Sequence, residues 1–139
     1  MLDVAFVGRD VLLRRNDDNI KKAMENLTTD ISNLVNNAQN LTDSEYIKEV
    51  AKLHYRYILI HPFRDSNGRI GRNLINQMLA EKNKMFVLEK QDKSTYLNIM
   101  NNMITNIPNP TYLHALSSNP DYCRTMESKY ANNLARIYK

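Results

Sequence analysis

Cysteine is almost missing from this chain. Cys123 stands alone, so no internal disulfide can form, and its helical apolar spacing makes it a core residue in a reducing compartment rather than a nucleophile. Glycine occurs three times and proline four, too seldom to punctuate the chain often. The composition is globular with a helical lean, and disorder is not the default. No apolar stretch approaches the ~18 residues that cross a bilayer. The N-terminal "MLDVAFVGRDVLLRR" carries acidic residues and no cleavable hydrophobic segment, so we expect no membrane partner, and either a cytoplasmic location or export as an effector by other signals. Basic runs are absent too. The net charge is +4 with a pI near 9.2, yet lysines and arginines are scattered, which disfavours a DNA or RNA binder and suits a nucleotide binder or a plain basic protein.

What is present organises itself as one domain over the 139 residues, long enough to bury a core without metals or bridges. "VAFV" and "VLLR" flank "GRD", so Val4 to Arg14 reads as a small hairpin, within residues 1–15, that must lean on the helices after it. Ile20, Ala23, Met24, Leu27, Ile31, Leu34 and Val35 recur at one-face helical spacing, predicting a helix over Asp18–Ala38. Thr42 and Glu45 stand in capping-box spacing ahead of Ile47, Val50, Ala51, His54 and Ile58. That second helix must stop by Ile60 or His61, because Pro62 disfavours helical geometry in the residue before it. Ile70, Leu74, Ile75, Met78 and Leu79 restart the period, so residues 43–81 form a helix, a tight turn and a helix. "KMFVLEK" is a connector. Tyr96, Leu97, Met100, Met103 and Ile104 mark a further helix, interrupted at "IPNP", and Thr111–Leu116 a short one. Asn119 as N-cap and Pro120 at the first position open a final helix over 120–138, with Cys123, Met126, Tyr130, Leu134 and Ile137 inward.

The chemistry gathers in "HPFRDSNGRIGR", His61 to Arg72. A helix N-terminus presents unbonded N–H groups and partial positive charge, a ready anion site. Ser66, Asn67 and Gly68 would bring main-chain amides into a concave turn, with Gly68 permitting close approach. Arg69 and Arg72, three apart at the start of the helix, both project toward one end, and two guanidinium groups suit more than one phosphate. Asp65 is a hard oxygen ligand, and Mg²⁺ is typically held by one or two carboxylates plus substrate phosphates. His61 is the side chain there whose ordinary pKa lies near neutrality, as wanted in a base that takes a hydroxyl proton. Together these parts describe nucleotidyl or phosphoryl transfer to an alcohol.

His61, Phe63, Asp65, Asn67, Gly68, Arg69 and Arg72 resemble the Fic family motif H-x-F-x-[DE]-G-N-G-R-x-x-R, with Ser66 where the family usually has glycine. So many fixed spacings between two helices form a specific signal. The likeness runs over roughly Ala5 to Ile104, and the N-terminal hairpin resembles the Fic flap. It implies an all-α, Fic-type helical bundle with that small β-hairpin flap, and an enzyme that transfers AMP from ATP to a Ser, Thr or Tyr hydroxyl of a target protein docked along the flap by strand addition. By the resemblance His61 is the general base, Asp65 the Mg²⁺ ligand, Asn67 the α-phosphate contact, Arg69 the β-phosphate contact and Arg72 the γ-phosphate contact. Amides around Gly68 line the anion hole, and Phe63 is an anchor. If position 66 needs a positive φ, Ser66 costs about 1 kcal/mol, so activity is expected to be reduced and not lost. Doc toxins, which phosphorylate instead, tolerate a small residue there but carry Lys where this chain has Gly68, which favours AMP transfer. The family's inhibitory motif [ST]-x-x-x-E-[GN] has no complete copy; "SKYANN" places Asn132 where its glutamate belongs. Regulation is therefore expected from a separate antitoxin-like chain or a missing segment, or to be lacking altogether, and the chain starts at the flap, as though a helix ahead of it had been removed.

Competing readings are a Doc-like phosphotransferase and a nucleotide- or antitoxin-binding module without turnover. Alone, His61 would be a helix-end histidine, Asp65 an N-cap and the arginines a solvated face; cations at a helix N-terminus, where they are unfavourable, argue for an anionic ligand. His54 reads as a satisfied core histidine, His114 has no recognisable role, and Arg64 reads as surface.

Overall fold

A helical period dominates the sequence, and helices are the regular structure that results. The computed structural model describes residues 17–60, 67–105 and 110–139, with no strand among them. The hairpin expected within residues 1–15 lies outside the described residues. Helix α1 spans Asp17–Asn36 and α2 spans Asp43–Ile60, joined by a short 3₁₀ turn at Ala38–Asn40. On α1 the anticipated face is the buried one: Ala23, Leu27 and Leu34 are enclosed, with Ile20, Met24, Ile31 and Val35 packed at the margin. The capping box of α2 forms as expected: the Thr42 N–H donates to Glu45 Oε1 at 3.0 Å, and the Glu45 N–H donates to Thr42 Oγ1 at 3.2 Å. Helix α2 is described as far as Ile60, and the stop expected before Pro62 lies outside the described residues.

Burial on α2 departs from a single stripe. Every side chain from Leu53 to Ile60 is buried, the pattern of a helix enclosed on all sides. The enclosing elements are α1, the helix α3 over Asn67–Leu79, and three C-terminal helices: α5 (Pro110–Ser118), α6 (Pro120–Tyr130) and α7 (Asn132–Ala135). Helix α4 (Lys93–Thr105) reaches the centre through Tyr96, whose hydroxyl meets His54 Nε2 at 3.3 Å.

Helix α3 lies antiparallel on α2. The Tyr46 hydroxyl, near the start of α2, donates to the Met78 carbonyl near the end of α3 at 2.7 Å, while Tyr57, near the end of α2, meets Gly71 near the start of α3. Ile75, Met78 and Leu79 fill the seam. After a 3₁₀ turn at Ala80–Lys82, Asn83 takes a left-handed conformation (φ 56°) and the chain runs extended. Asn76 holds this connector by both edges of Phe86, accepting its N–H at 2.6 Å and donating to its carbonyl at 3.0 Å.

The last helix expected over 120–138 is two. Asn119 caps it by accepting the Tyr122 N–H at 3.3 Å, but α6 stops at Tyr130 and α7 begins at Asn132. At the break the bonding tightens to i→i−3, from the Leu134 N–H to the Ala131 carbonyl at 3.1 Å and from the Ile137 N–H to the Leu134 carbonyl at 3.1 Å. Asn132 and Asn133 are weak helix formers, and the turn lets Leu134 and Tyr138 both face α2.

Candidate active site

Residues 61–66 connect α2 to α3 in the chain. Those six residues lie outside the described ones, so His61, Phe63, Asp65 and Ser66 are located here only by the helices that bracket them. Asn67 opens α3, and its backbone with those that follow supplies the unbonded N–H groups of a helix start. The first turn of α3 holds no acidic residue; Arg69 and Arg72 follow within it and just beyond, against the direction of the helix dipole. Gly68 and Arg69 are exposed and Arg72 is half-buried. The Arg72 guanidinium folds back along the helix, its Nη1 lying 3.2 Å from where a Gly68 side chain would begin. The structure thus brings Gly68 and Arg72 together at the amino end of α3. Tyr96 adjoins this arginine: burial raises its phenol pKa above the ordinary value, and the Arg72 charge works against that rise.

Among the described residues no cluster of three or more His, Cys, Asp or Glu side chains exists that could cage a metal.

Two groups that the sequence made prominent are structural. His54 is buried with both ring nitrogens engaged, Nδ1 by the Tyr138 hydroxyl at 2.7 Å and Nε2 by Tyr96. Desolvation pushes its pKa down to about 3, so the imidazole stays neutral. Cys123 is enclosed as expected, and burial lifts its thiol to about 12, far from a reactive thiolate.

Sequence reasoning missed the charge network behind the site. Arg56, 1% exposed, donates from Nε and Nη2 to the two oxygens of Glu127 at 2.7 and 2.9 Å, and from Nη1 to Asp30 at 2.7 Å. The Tyr112 hydroxyl donates to Glu127 at 2.8 Å, and Arg124 closes the other side of Asp30 at 2.7 Å. Burial works against the charged form of Asp30, but hydrogen bonds from Arg124 and Arg56 hold its carboxyl below the ordinary value. For the fully enclosed Glu127, burial raises the pKa while Arg56 and Tyr112 oppose it. A cleft of about 660 Å³ opens beside these groups between α1, α2 and α6; its buried charges satisfy one another. The available signal was an arginine within the otherwise apolar run Leu53–Ile60, and an acid four residues after Cys123. Gly71, buried against Tyr57, was also missed.

Comparison with known proteins bears on the same segment. The Fic/DOC family model matches residues 10–79, half of the chain. A protein adenylyltransferase Fic of Aedes aegypti is 32% identical over 74 residues, covering 48% of this chain and 15% of the relative. A probable protein adenylyltransferase of Aquifex aeolicus is 39% identical over 51 residues, covering 37% of this chain and 16% of the relative. A protein adenylyltransferase Fic of Drosophila erecta is 31% identical over 65 residues, covering 46% and 13%. The chain therefore spans about 15% of the length of such relatives. No solved structure matches it significantly.

Proposed function

The chain belongs to the Fic/DOC family, and from that membership we propose that it is a protein adenylyltransferase, moving AMP from ATP to a Ser, Thr or Tyr hydroxyl of a target protein. The observation that carries the reading is the Arg72 guanidinium turned back onto Gly68 at the amino end of α3, in a first turn that holds no acid. Cations set against a helix dipole favour an anionic guest, and the relatives' printed activity makes a nucleoside triphosphate the fitting one.

In this mechanism His61 takes the proton of the attacking hydroxyl. The hydroxyl oxygen bonds to the α-phosphorus, and the bond from that phosphorus to the oxygen bridging to the β-phosphate breaks. The charge that develops on departing pyrophosphate falls on Arg69 and Arg72, and Asn67 with the amides near Gly68 steadies the α-phosphate oxygens. Asp65 would hold Mg²⁺, which when bound neutralises phosphate charge. The target segment would lie along the residue 1–15 hairpin. An antitoxin-like partner would act by blocking the arginines.

Incubating the protein with α-labelled ATP, Mg²⁺ and lysate tests this. Label should pass to a protein band, and His61→Ala should reduce transfer by about 10²–10⁴-fold. Transfer from γ-labelled but not α-labelled ATP would replace adenylylation by phosphotransfer. Calorimetric ATP binding with no transfer from either would leave a nucleotide-binding module.

A further inference from the structure

The geometry points to Tyr57 and Gly71 as the seat that sets the tilt of α3 on α2 and so aims the Arg72 guanidinium at the triphosphate. This rests on the function proposed above. A methyl group on Gly71 would stand 2.6 Å from Tyr57 Cε2 and 3.1 Å from Cδ2, closer than side-chain carbons approach one another. The ring has no room to yield, since Tyr57 is 4% exposed within the continuously buried run of α2. The other end of α3 is pinned, because the Tyr46 hydroxyl holds the Met78 carbonyl at 2.7 Å. Relief of a clash at position 71 must therefore swing the amino end of α3 outward, and that is the end carrying Gly68, Arg69 and Arg72.

Glycine inside a helix lowers its stability relative to alanine, a local disadvantage that the close approach of the two helices offsets. Neither residue would touch substrate; both act through Arg72 and are positioning residues.

The test compares Gly71→Ala, Tyr57→Leu, their double variant, and Leu134→Ala as a core variant remote from α3. Each is measured for ATP affinity by calorimetry, for KM and kcat in AMP transfer, and for thermal stability by circular dichroism. Displacement of positioning groups by about 1 Å can cost on the order of a hundredfold, so the smaller swing in Gly71→Ala is expected to raise Kd and KM for ATP about tenfold with kcat within about twofold. Tyr57→Leu should act in the same direction. Leucine leaves room for the methyl, so the double variant should sit closer to wild type than Gly71→Ala does, a non-additive result. Leu134→Ala should lose stability and keep its KM. Unchanged ATP affinity in folded Gly71→Ala, or an equal rise in Leu134→Ala, overturns the inference while leaving the function intact. Should Gly71→Ala not fold, Tyr57→Leu against Leu134→Ala decides in the same way. Wild type that neither binds ATP nor transfers AMP brings down the function and this inference together.

Discussion

Arg56 and Arg72 sit on adjacent, antiparallel helices and are used in opposite ways. Arg56 is sealed in the interior and spends its donors on Glu127 and Asp30. Arg72 reaches back to the amino end of its own helix, in a first turn with no acid, at the position proposed above to bind phosphate. An arginine enclosed by complementary carboxylates holds helices together; one set against the dipole at a helix start favours an anionic guest. The same residue type thus serves architecture on α2 and, in the proposed function, recognition on α3, and what separates the roles is where the compensating negative charge comes from.

The largest expected effect comes from breaking the interior side of this contrast. Glu127→Ala leaves the Arg56 guanidinium buried beside half its partners and should cost about 3–5 kcal/mol in denaturant unfolding. Replacing both, as Arg56→Met with Glu127→Leu, should cost less than the single change, because no lone charge remains. On the recognition side, Arg72→Ala should lower kcat/KM for AMP transfer by about 10²-fold while unfolding stability moves by about 0.5 kcal/mol or less. A comparable stability loss in Arg72→Ala would erase the distinction between the two arginines.

Acid unfolding sharpens the interior half, because two groups respond in separate windows. His54 falls from 6.5 to about 3 on folding, so the unfolded chain binds its proton first and stability should decline as pH drops from 6.5 toward 3. Asp30 has a folded pKa below its ordinary 3.8; its contribution is complete above that value and is lost as pH falls through the lower, folded one. His54→Gln should therefore flatten the upper limb of a stability-versus-pH curve. Asp30→Asn should alter the limb below 3.8, and by removing charged hydrogen bonds it should cost about 1.5–3 kcal/mol at neutral pH. The smallest effect belongs to neither arginine: Thr42→Ala removes one arm of the α2 capping box and should cost about 1 kcal/mol by thermal melting.

Much of this was legible in the sequence because the signals are local. Capping at Thr42 and Asn119 and the apolar face of α1 each follow from residues within a few positions of one another. The motif was legible for the same reason, a set of chemistries at fixed spacing, and the match over residues 10–79 bears out the family it implied. The Arg56–Glu127 pair joins residues 71 apart in the chain, and no local pattern pairs them. Nor does periodicity announce that Gly71 must lack a side chain, since the reason is a ring on another helix. The division of the last helix at Ala131 escaped for a related cause: the apolar spacing continues through Leu134 and Ile137, while the tighter bonding follows from weak helix formers and packing on α2.

By itself, then, the order of residues determined the capped starts and apolar faces of helices and set His61, Asp65, Asn67, Gly68, Arg69 and Arg72 at fixed spacing along the chain, since capping, periodicity and motif chemistry act over a few residues. Only the tertiary structure decided that the second half of α2 would be enclosed on every side, that Arg56 would find its carboxylates on α1 and α6, and that Tyr57 would meet Gly71. Those outcomes depend on which faces pack together, and desolvation there makes pairing and close fit decisive.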